Sequence, residues 1–152
     1  MRNDSAWTTF HHRGEILRSV IQTADDRRDG LLPMDVTGVP ETFGGELSLL
    51  GALQLRWHTR LSGHLEHALM AGPADSDEAV IAAWQATAEE LPGVRLVLDR
   101  YRARPVDRRM AAMLATSAAK ERALLAAMAG RAGATAHATA DAGRVLEDRA
   151  RA

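Results

Sequence analysis

Between Gly44-Gly45 and Gly72-Pro73 the chain runs through ELSLLGALQLRWHTRLSGHLEHALMA without a proline or a paired glycine. Leu50, Leu53, Trp57, Leu61, Leu65 and Ala68 recur there at spacings of three and four, which places them on one face of a helix. A helix over about 46–71 with such a stripe has to bury it against other elements of similar length. No stretch of the chain shows the period-two alternation of β-branched residues that a half-buried strand needs, aromatics are only 4%, and Ala, Leu, Arg and Glu are strong helix formers. The partners of this helix are therefore helices, and the sequence predicts an all-α fold.

The breaks delimit the rest. A first helix is predicted from about Ser5, a good N-cap, to about Arg28, ahead of Asp29-Gly30. Its apolar stripe is Ala6, Phe10, Leu17, Val20, Ile21 and Ala24. Residues 29–45, DGLLPMDVTGVPETFGG, have no helical period but too many apolar side chains for a solvated linker, so they read as a long apolar crossover packed over the helices. After the long second helix, Asp75 with Glu78 resembles a capping-box start for a third helix to about Leu91, with Val80, Trp84, Thr87 or Ala88, and Leu91 inside. Pro92-Gly93 breaks that column, and Val94, Val97, Leu98 and Tyr101 define a short fourth helix. Pro105 suits the first turn of a fifth, running to about Ala129. The predicted architecture is an antiparallel up-down helical bundle of four to five helices over residues 1–130. Residues 131–152, rich in Ala, Gly and Thr, read as a mobile tail with at most one short helix.

Composition narrows the function classes. A chain of 152 residues with 46% hydrophobic residues is one ordinary domain with enough apolar surface for its own core. A formal net charge of −1 argues against a globally basic binder of nucleic acid or membrane surface. With no cysteine, a metal site has to be built from His, Asp or Glu. No signal-like or membrane-spanning apolar run is visible, so a cytoplasmic protein is the expectation.

Four places carry residues of chemical interest. On the first helix His11 and Glu15 have the i, i+4 spacing found in di-iron bundles, but they project opposite the apolar stripe and read as a solvated face. In WHTRLSGHLEH, residues 57–67, His64 projects inside the apolar arc beside Trp57, with Arg60 and His67 on one flank and His58 on the other. His58 lies about 120° and about 9 Å away from His64, and Glu66 points outward, so His64 and His67 are the pair that could share a centre. On the fifth helix Glu121 falls in the middle of the stripe Met110, Met113, Leu114, Ser117, Leu124, Leu125 and Met128. A carboxylate there needs a cation, a donor or a metal, and the candidates are His64, His67, Arg60 and Arg13. If the second and fifth helices touch, His58, Arg60, His64 and Glu121 form a buried polar pocket. His64, His67 and Glu121 alone would then make a two-His, one-carboxylate set for iron or zinc; the plainer reading is a buried pair that fixes register. Finally, Arg95, Arg100, Arg102, Arg104, Arg108 and Arg109 form a basic patch for an acidic partner or a nucleic acid, although 18 of the 19 basic residues are Arg, which makes arginine clusters common by composition.

Nucleophile elbows and phosphate loops are absent from the sequence. The expectation is a non-catalytic interaction or assembly module, without a cofactor and self-associating as a dimer through Ala111, Ala112, Ala115, Ala119, Ala123, Ala126 and Ala127, or binding a protein partner. Nucleic acid and membrane are not expected as partners. A metal- or ligand-binding bundle is the alternative.

Overall fold

The computed structural model describes residues 2–71, 77–131 and 133–152, with side chains from Ala6 onward. Every element among them is helical: α1 (Arg2–Arg27), α2 (Val39–Phe43), α3 (Glu46–Ala71), α4 (Asp77–Glu90), α5 (Pro92–Ala103), α6 (Arg108–Met128) and α7 (Ala136–Arg151). The all-α expectation holds, and the bounds of α3 match the two glycine breaks that predicted them. Asp75, expected to cap α4, lies outside the described residues. The helices fall into two compact units. One comprises Met1–Leu55 and Leu91–Pro105, the other Arg56–Glu90 and Val106–Ala152, so α3 contributes its first residues to one and the remainder to the other.

In the first unit α5 packs along α1. Gly93 makes this possible: a Cβ there would stand 2.3–2.4 Å from the backbone of Ala24 and Asp25. The same approach caps α5, whose N-cap Leu91 offers no side-chain acceptor; Asp25 on α1 accepts from the Gly93 N–H at 2.9 Å instead. Ile16, Val20 and Ala24 form the buried stripe of α1. The expected stripe is corrected at its start, because Ala6 and Phe10 are exposed, and α1 begins at Arg2 rather than being capped at Ser5. The crossover is packed as predicted, with Leu32, Val39 and Phe43 buried and the Leu32 N–H donating to the Tyr101 hydroxyl at 3.3 Å. It also holds the single turn of α2, which the two glycines and the proline around it conceal in the sequence.

In the second unit α4, α6 and α7 pack with the latter part of α3 around Trp57, Leu61, Leu65, Trp84, Leu114, Leu125 and Leu146. Helix α6 starts at Arg108, not in the turn of Pro105, because the Asp107 carboxylate accepts from the Met110 N–H at 2.9 Å and fixes the cap. It ends at Met128, and Gly130 two residues on, with a φ of 70°, lets Arg131 N–H return to the Ala126 carbonyl at 2.7 Å. The segment read as a mobile tail is instead mostly α7, capped by the Thr135 hydroxyl and burying Gly143, Leu146, Glu147 and Ala150. Gly143 is the reason α7 can lie so close to α6: a Cβ would come 1.8 Å from the Arg122 carbonyl oxygen.

Replacing Gly143 by Ala should therefore force two helix backbones apart, at a cost of roughly 2–3 kcal/mol. Gly63→Ala, where nothing lies within 4 Å of the added carbon, should be neutral or slightly stabilising, since Ala also favours the helix. Urea unfolding of the two variants beside the parent protein measures the difference, and equal midpoints would mean that α7 does not pack as described.

Candidate functional site

Glu121 is 1% exposed, as its place on the apolar stripe of α6 predicts. Helices α3 and α6 do meet there, through an indole. The carboxylate Oε1 accepts the indole N–H of Trp57. His64 lies seven residues further along the same face of α3, about 10 Å along the axis. It turns to α4, where its Nε2 stands 2.7 Å from Glu90 Oε2; Arg60 reaches the other oxygen of that carboxylate at 2.7 Å. Of the residues expected in one pocket, Glu121 is buried beside Trp57, while Arg60 and His64 meet Glu90 in a half-exposed cluster. Arg13, another candidate partner for Glu121, instead lays its guanidinium over the Phe43 ring at 4.5 Å.

His67 is exposed and His58 half-buried. Among the described residues no three His, Asp or Glu side chains gather as metal ligands would, so His64, His67 and Glu121 do not form one centre here.

The sequence reading missed the second buried acid. Glu147 on α7 is also 1% exposed and is held by Arg122 at 2.9 Å and Arg151 at 3.1 Å. Arg151 in turn lies 4.9 Å above the Trp84 ring, and Trp84 meets Trp57 edge to face at 5.5 Å. Two carboxylates, two arginines and two indoles so connect α3, α4, α6 and α7 within one unit. The signal for it was available: Gly143, Leu146, Glu147 and Ala150 follow i, i+3, i+4, i+7. At the other edge of this unit Asp77 is clamped by Arg131 at 2.6 Å and Arg149 at 3.2 Å, and Arg149 also reaches Glu78 at 2.6 Å.

Of the six arginines of the predicted basic patch, Arg95 is the buried one. Arg95 is buried against Asp99 at 2.8 Å, Arg102 is half-buried, and Arg100, Arg104, Arg108 and Arg109 are exposed. The sequence run also crosses from one unit to the other at Pro105. Tyr101, assigned to the core stripe, is half-buried and uses its hydroxyl on the crossover.

An unforeseen surface lies at the start of α1. Residues 6–13 are all exposed, Trp7 by 64% and Phe10 by 74%, and the His11 ring sits 3.9 Å from that of Trp7. No helix among the described residues is long and apolar enough to cross a membrane. Compared with protein-family models, curated proteins and solved structures, the chain finds no match.

Two outcomes follow from the geometry. Glu121→Ala leaves the Trp57 N–H buried without this acceptor and opens a cavity, and should cost about 3 kcal/mol; Glu121→Gln keeps an acceptor and should cost less than half of that by urea unfolding. Hydrogen bonding from His64, with help from Arg60, holds Glu90 below the usual carboxylate range, and Arg131 does the same for Asp77. Because both folded-state values are lowered, their contribution is complete above the unfolded value near 4 and is lost as pH falls through the folded values. Helicity in moderate urea should fall as the pH drops below about 4, and Asp77→Asn should flatten that acid limb.

Proposed function

We propose that the protein is a non-catalytic interaction module whose docking element is the first half of α1. The observation that carries this reading is the exposure of Trp7 and Phe10, by 64% and 74% among the described residues, on one face of α1. At about 100° per residue, Trp7, Phe10, Gly14, Leu17 and Ile21 fall within one arc of about 80°, separate from the buried stripe of Ile16, Val20 and Ala24. Large aromatics of this kind are the residues that dominate binding energy at interfaces. Leu17 and Ile21 are half-buried, so the arc begins as free surface and runs into the folded unit. That continuity gives a partner a rigid base.

The alanine face of α6, on which dimerisation was expected, offers less. Ala118 and Ala126 are buried, and what remains exposed, Ala112, Ala115, Ala119 and Ala127, has no large side chain to anchor a partner. The buried carboxylates give no support to catalysis, since Glu121 and Glu147 are engaged by donors of their own unit.

The test is a displayed random-peptide library selected on the protein and, in parallel, on a Trp7→Ala/Phe10→Ala variant. Binders that recover on the first and not on the second are the expected result. The double variant should keep its stability within about 0.5 kcal/mol, as surface changes do, whereas Trp57→Ala should lose about 3–5 kcal/mol. Equal recovery on both proteins, or a large loss of stability in the double variant, would falsify the reading.

A further inference from the structure

We draw no further inference here: the strongest candidate, the small cavity between the start of α4 and α7 that Asp77, Arg131, Val145 and Arg149 line, carries nothing because its two arginines are already engaged by Asp77 and Glu78 and nothing in the structure shows what would occupy it.

Discussion

A carboxylate in a hydrocarbon core is tolerated only where a donor is already in place, and Glu121 sets this condition for the second unit. Its oxygen takes the N–H of Trp57, a fully buried indole. Each group offsets part of the desolvation cost of the other, and moving either one breaks this bond. The contact fixes the register of α3 against α6. From Trp57 the constraint passes edge to face to Trp84 on α4, and from Trp84 through Arg151 to Glu147 on α7. Buried ionic groups of this kind seldom add much net stability over an apolar core, but they penalise every alternative packing in which one of them loses its partner. For helices rich in alanine, whose faces differ little from one another, that penalty supplies much of the distinction between the right register and the wrong ones.

Small residues do the complementary work. Gly93 and Gly143 each stand where a helix backbone meets another backbone, and in both cases a methyl group would overlap main-chain atoms. Close approach increases the number of dispersion contacts along the crossing, a gain that a core built from alanine and leucine needs because its side chains are short. Around each crossing a polar group settles the geometry: Asp25 caps α5 beside Gly93, and Arg122 next to Gly143 reaches Glu147.

How far the fold was legible depended on whether each signal was local. The ends of α3 and the break at Pro92-Gly93 are written as glycine and proline, and both were readable. The burial of Glu121 followed from projection along α6, whereas the meeting of α3 with α6 was left open, since no spacing rule links residues 57 and 121. The identity of its partner was not legible, because Trp57 and His64 share one face two turns apart and differ only in height. Likewise, no spacing rule connects His64 to Glu90, 26 residues on and at the end of another helix. Arg95 was hidden among exposed arginines although it sits between the core residues Val94 and Val97, an arrangement that in a helix need not place it outside. Helix α7 was overlooked because composition outweighed periodicity: glycine and alanine look like a flexible tail until the four-residue pattern through Leu146 shows what they are small for.

The aromatic end of α1 is where apolar surface and packing do not agree. Phe10 belongs by spacing to an apolar stripe, yet only the stripe of Ile16, Val20 and Ala24 has helices to cover it. Leaving Trp7 and Phe10 largely in water forgoes roughly 5 kcal/mol of transfer free energy, taking about 25 cal/mol per Å² over the exposed parts of two aromatic side chains. Association itself costs about 4 kcal/mol or more in lost rigid-body freedom. The aromatic pair alone would thus hold a partner weakly, and a useful complex has to draw on Leu17 and Ile21 at the base of the arc. Recognition would then depend on a partner surface long enough to span from Trp7 to Ile21, about 21 Å along the axis.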